Sequence, residues 1–137
     1  MQAVAQTASV SNKMHQVGHV VSGLVIVFLL LDGAMKLVPL APVTETMEQL
    51  GYSTSVGLAR MLGLLTIACT LLYAVPKTSV LGAILLTGYL GGAMATHLRA
   101  GSPFFTHLFF GFYLGVMVWG GLFLREEKLR TLIPLRR

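Results

Sequence analysis

Val56 to Val75 reads VGLARMLGLLTIACTLLYAV, and after Pro76-Lys77-Thr78 a second run, Ser79 to Leu98, reads SVLGAILLTGYLGGAMATHL. Each run is 20 residues long. A helix needs roughly 20 apolar residues to cross the hydrocarbon of a bilayer. Backbone amides have no water to bond there, so each run is predicted to be a helix and not open sheet. The alternation that a membrane β-barrel requires is absent. Three residues between the runs form a tight turn, so these two helices must be antiparallel neighbours.

Two further runs lie outside this hairpin. Gly18 to Val38 is stopped by Pro39 and Pro42, and His107 to Leu124 is stopped by Arg125-Glu126-Glu127-Lys128. The prediction is an all-α bundle of four transmembrane helices, about 18–38, 56–75, 79–98 and 107–124, forming one domain over 1–137. Composition agrees. Of 137 residues, 55% are hydrophobic and only 11% charged, against roughly 25% charged in soluble domains. Mean hydropathy is +0.77. Too few polar side chains remain to coat a soluble core. Met1 to Gln16 is polar and does not start like a signal peptide. Between the first two runs, residues 45–50 suit a short interfacial helix.

Charge sets the expected orientation. Lys13, Lys77, Arg125, Lys128, Arg130, Arg136 and Arg137 fall on the side of the termini, and Lys36, Arg60 and Arg99 on the other. The positive-inside rule then places both termini in the cytoplasm, as a multi-pass protein of the inner membrane. The net charge of +5 suits anionic lipid headgroups and not nucleic acid. A basic tail after Arg125 is expected along the membrane surface. Tyr52, Tyr73 and Trp119 sit near predicted span ends, where aromatic anchoring is usual.

Small residues let helices approach in lipid. Gly88 and Gly92, and Gly111 and Gly115, have GxxxG spacing. Packing inside one bundle is favoured for them, with a homodimer contact as the alternative.

Ionisable side chains in a span cost about 2.5–3.5 kcal/mol each on insertion scales and mark candidate sites. Asp32, Lys36, Arg60, His97 and His107 all fall near the outer ends of their helices. Tyr89 shares a face with Ala93 and His97 by helical spacing. Together, Asp32, Lys36, Arg60, Tyr89, His97 and His107 are the candidate ligand-binding residues of a cavity open outward. The competing reading is a structural ion pair of Asp32 with Lys36 or Arg60. No catalytic residue can be named. His15 and His19 are four apart, but two of the usual four zinc ligands are missing, so no metal site is expected. Cys69, the single cysteine, excludes an intrachain disulfide and reads as a buried hydrophobe.

Leu62 to Arg99, with Asp32-Gly-Ala-Met-Lys-Leu37 and Trp119-Gly-Gly-Leu-Phe-Leu-Arg125, resembles the DoxX-like family of small bacterial membrane proteins. The resemblance implies a four-helix membrane bundle. The family takes its name from a subunit of an archaeal thiosulfate–quinone oxidoreductase. Some members are linked to membrane thiol and oxidative-stress complexes, and wider relatives include an assembly chaperone for nicotinic receptors. Lys36, Tyr89, Gly91, Gly92, His97 and Trp119 are the motif positions that carry over. Similar sequences often have a glutamate where this chain has Thr66. Three functions follow as expectations: an accessory, assembly or ligand-binding membrane component with a small polar pocket; a quinone-linked oxidoreductase subunit, with quinone as the implied cofactor; and a small transporter acting as a dimer. The expected partners are the bilayer and a second copy or another membrane protein.

Overall fold

The computed structural model describes residues 2–38, 40–53 and 55–133, with side chains from residue 11 onward. The helices are α1 (Gln2–Leu37), α2 (Ala41–Gln49), α3 (Val56–Ala74), α4 (Ser79–Arg99), α5 (Phe109–Arg125) and α6 (Glu127–Leu132). A π-helical turn, Phe104–Leu108, leads into α5. Four segments are long and apolar enough to cross a membrane: Ser11–Leu37, Val56–Ala74, Ser79–Arg99 and Phe104–Arg125. The described residues contain no strand. The chain is thus an all-α, four-span membrane protein, as its apolar runs require. Arg136 and Arg137, part of the expected basic tail, lie outside the described residues.

Local chemistry places the breaks. Val75 is extended (ψ 121°) because it precedes Pro76. The Thr78 hydroxyl then donates to the Leu72 carbonyl at 2.8 Å, satisfying an acceptor at the end of α3. Ser55 caps the start of α3 by accepting from the Leu58 amide. Pro42 sits in the first turn of α2, where its missing N–H costs nothing. Gly51 (φ +74°) and Gly101 (φ +67°) take the left-handed conformation beyond α2 and α4. In both, the next residue's amide returns to the helix, Tyr52 to Met47 at 2.9 Å and Ser102 to His97 at 3.0 Å.

The four long helices form a ring. α1 packs on α3 and α5, and α4 on the same two. Small residues permit this approach. A methyl on Gly63 would stand 2.7 Å from the Gly33 carbonyl oxygen, and one on Gly18 would stand 2.9 Å from that of Gly121. These two crossings fix α1 against α3 near one end and against α5 near the other. At Gly82 a methyl would collide with the backbone of Tyr73, which closes the α3–α4 hairpin. The core between the helices holds Val25, Leu29, Leu86, Val118 and Leu122, none more than 1% exposed. Leu24, Leu31, Leu64 and Val116 face outward, as lipid contact requires.

The buried hydroxyl groups among the described core residues are all bonded. Thr66 and Thr70, fully buried, donate back to Leu62 and Thr66 at 2.8 and 2.7 Å. Tyr73 is also fully buried. Its hydroxyl donates to the Val118 carbonyl at 2.8 Å and meets the Ser22 hydroxyl at 3.0 Å. The Arg125 guanidinium lies 5.0 Å from its ring centroid and donates to its carbonyl. Tyr73 is therefore not an interfacial anchor. It ties α1, α3 and α5 together at the end where the described chain begins and ends. Trp119 also differs from that expectation, since its Nε1–H donates to the Thr87 hydroxyl of α4 at 2.8 Å.

Two other expectations change. α2 starts at Ala41, earlier than residues 45–50 suggest, because Pro42 is a good first-turn residue. Among the spaced glycines, Gly111 packs within the bundle, against Met94 and the Leu90 carbonyl, but Gly88, Gly92 and Gly115 meet nothing. α4 uses Gly82, Ala83, Leu86 and Leu90 for contact, and that stripe leaves Gly88 and Gly92 to one side.

Gly82→Ala is expected to destabilise the protein by about 1–3 kcal/mol, the usual cost of overpacking. Gly91→Ala, where the new methyl meets nothing, is expected to be neutral. Thermal unfolding of both in detergent checks the contrast.

Candidate functional site

The end of the bundle opposite Tyr73 is built from smaller residues. Ala59 on α3 and Gly88, Gly92 and Ala93 on α4 leave a cavity of about 540 Å³. α1 contributes Asp32, Met35 and Lys36, and α4 adds Tyr89, Thr96 and His97. α2 covers the space with Pro42, Val43, Thr46, Met47 and Leu50. Met47 is buried, whereas Glu45 and Glu48 are exposed. The apolar face of α2 is thus turned to the cavity and its carboxylates to the surroundings.

Two bonds hold the far end of α2 to α4. The Tyr52 hydroxyl meets the Thr96 hydroxyl at 3.0 Å. Arg99 donates to the Leu50 carbonyl at 3.2 Å. That acceptor lies just past the end of α2, where a cation is favoured.

The polar lining is concentrated. Lys36 forms a hydrogen-bonded ion pair with Asp32, one turn away on α1. Its ammonium also lies 6.0 Å from the Tyr89 ring centroid, at the limit of a cation–π contact. His97 uses Nδ1 toward the Ser102 hydroxyl at 3.1 Å. That leaves Nε2, and the Tyr89 hydroxyl, without a protein partner among the described residues. The site therefore presents a cation, a phenol and an imidazole against a mostly apolar wall. Among the described residues no group of three or more His, Cys, Asp or Glu could hold a metal.

The six candidate residues separate into two groups. Asp32, Lys36, Tyr89 and His97 line the cavity. Arg60 does not. Its Nε–H donates to the Leu37 carbonyl at 3.2 Å, closing the end of α1. His107 does not line it either. It is exposed, its ring 5.7 Å from that of His97, and its Nδ1 meets the Thr106 hydroxyl. His15 and His19 stack at the other end of the molecule. The lid residues of α2 carried no charge or motif signal. Their only trace in the sequence was the i, i+4 spacing of Val43 and Met47.

A sequence model of the DoxX-like family matches residues 20–121. The chain belongs to the DoxX-like family. No curated protein and no solved structure matches this DoxX-like chain. Of the positions that carried the resemblance, Lys36, Tyr89, Gly92 and His97 line the cavity. Gly91 and Trp119 lie elsewhere. Thr66 is fully buried and bonded to its own helix, outside the cavity lining.

The Lys36–Asp32 pair is part-exposed to the cavity, with side chains 20% and 36% accessible, so its stabilisation is small after screening. Lys36→Met alone strands Asp32 at membrane depth. It should cost about 1 kcal/mol or somewhat more, and Asp32→Asn in the same chain should restore part of that loss. A double-mutant cycle on detergent melting temperatures reads the coupling.

Proposed function

We propose that this DoxX-like protein is a ligand-binding, accessory component of the inner membrane, holding a small amphipathic molecule in the cavity beneath α2. The carrying observation is the cavity itself: about 540 Å³, within the range of small-molecule sites, mostly apolar, with a few convergent polar groups. The polar head of the occupant lies among Lys36, Tyr89 and His97. Its apolar part lies along Met35, Leu62 and the glycines of α4. Arg60 and His107 support the site from outside, as the cap of α1 and the neighbour of His97.

Seven bases on the side of the termini against three on the other support a cytoplasmic position for both termini. The α2 end then faces outward. An accessory role in a larger membrane assembly fits the short connections, which leave little chain outside the bilayer. A quinone as occupant is favoured by one feature. The Tyr89 hydroxyl and the His97 Nε2 are two separate hydrogen-bonding groups facing one mostly apolar space, as a ring with two carbonyls requires.

Native mass spectrometry of the protein in mild detergent, with organic extraction alongside, tests this reading. One small molecule per chain is expected, and its mass identifies the class. His97→Ala should release it. Gly92→Leu should release it by filling the cavity, and Gly91→Leu should not, since Gly92 lines the cavity and Gly91 does not, while an added Cβ meets no neighbour at either. Equal retention in Gly92→Leu and Gly91→Leu, or no retained molecule, rules the proposal out.

A further inference from the structure

The charges of the chain are unevenly shared between its two ends. At the α2 end, Lys36, Arg60 and Arg99 are matched by Asp32, Glu45 and Glu48. At the other end, among the described residues, Lys13, Lys77, Arg125, Lys128 and Arg130 stand against only Glu126 and Glu127. The excess of positive charge among the described residues is therefore carried there.

Two of these cations lie at the ends of helices. Arg125 donates to the Tyr73 carbonyl at the end of α3, and Arg130 to the Leu124 carbonyl at the end of α5. The ion pair found among the described residues is Lys36–Asp32, and neither arginine has a carboxylate partner among them. Each Nε–H is shut off from solvent and bonded to nothing described. The guanidinium charges are thus held in place, partly desolvated and not neutralised by any described residue.

Beside them, α5 and α6 leave an apolar groove of about 430 Å³. Trp119, Gly120 and Phe123 line it from α5, and Leu129 and Ile133 from α6. Trp119 is a fixed wall, because its indole N–H is bonded to Thr87 across on α4. Gly120 keeps the floor low, since a methyl there would meet no neighbour. Arg130 follows Leu129 on α6, and its guanidinium rests on the carbonyl of Leu124, the residue after Phe123. A cation with no carboxylate partner among the described residues therefore stands beside the apolar groove, next to its lining residues Leu129 and Phe123, where the membrane span stops.

We infer that this groove is a binding site for an anionic phospholipid of the surrounding bilayer. One acyl chain lies along Trp119, Gly120 and Phe123, and the phosphate is held by Arg130 with Lys128 beside it. An anionic headgroup completes the charge that the protein leaves open. A zwitterionic headgroup does so less well, because its own cation competes. Basic residues next to a span interact with anionic lipid by about 1 kcal/mol each, close to a fivefold factor in affinity. The site is separate from the cavity under α2 and does not depend on what that cavity holds.

The test is native mass spectrometry of the full chain in detergent, titrated with phosphatidylglycerol or phosphatidylcholine of the same acyl composition. The wild type is expected to retain phosphatidylglycerol in preference, at one per chain. Arg130→Gln should cut that preference by about fivefold. Gly120→Leu should reduce retention of both lipids without lowering the melting temperature. Lys77→Gln, on the same end but away from the groove, should leave the preference unchanged. Equal retention of the two lipids overturns the inference. So does a loss in Lys77→Gln as large as in Arg130→Gln, which would mean a diffuse surface potential. If Arg130→Gln does not fold, Gly120→Leu decides, since its side chain touches no helix cap, and undiminished lipid retention there also overturns the site.

Discussion

Helices in a bilayer gain nothing hydrophobic by leaving lipid for each other, so this bundle depends on how closely its backbones can approach. Gly33 against Gly63 and Gly18 against Gly121 set that distance for α1 at its two ends. Gly82 does so for the α3–α4 hairpin and Gly111 for α5 on α4. Each neighbouring pair in the ring has a glycine at its crossing. Dispersion contacts and buried hydrogen bonds then add what the glycines permit.

With the ring closed, its two ends differ in what fills the middle. At one end Tyr73 spans it, bonded to Ser22 and to Val118, and Arg125 covers its ring. At the other end the small residues Ala59, Gly88, Gly92 and Ala93 border the corresponding space. The cavity beneath α2 results, and Asp32, Lys36, Tyr89 and His97 give it a polar side. The lid follows from the same logic, since α2 must bury Val43 and Met47 somewhere and the cavity mouth is the nearest apolar surface.

The polar residues at membrane depth show how much of such a site can be read from spacing. Asp32 and Lys36 are one helical turn apart, and Tyr89, Ala93 and His97 share a stripe, so the grouping of these four is legible in the chain. Arg60 and His107 lie at the same depth but turn away. Depth follows from position in an apolar run. Direction depends on which face of the helix packs, and for α3 that face carries Ala59, Gly63 and Thr66, leaving Arg60 at its edge. Gly88 and Gly92 are a similar case. Their spacing is that of a helix contact, yet α4 packs through a different stripe and leaves them beside the cavity.

Hydropathy and length determined that four helices cross the membrane, because each apolar run is about as long as the hydrocarbon is thick and, without the alternation of a barrel, only a helix satisfies the backbone there. Prolines and left-handed glycines marked where the helices stop, since both act through local geometry alone. Tertiary structure decided the rest. Tyr73, at a span end, became the centre of the core, and Trp119 a strut to α4. The uncharged residues of α2 became a lid, and two arginines at the far end were left without carboxylate partners among the described residues. Each of these depends on which residues from distant parts of the chain come within a few ångströms, and that is set by how the helix faces fit together.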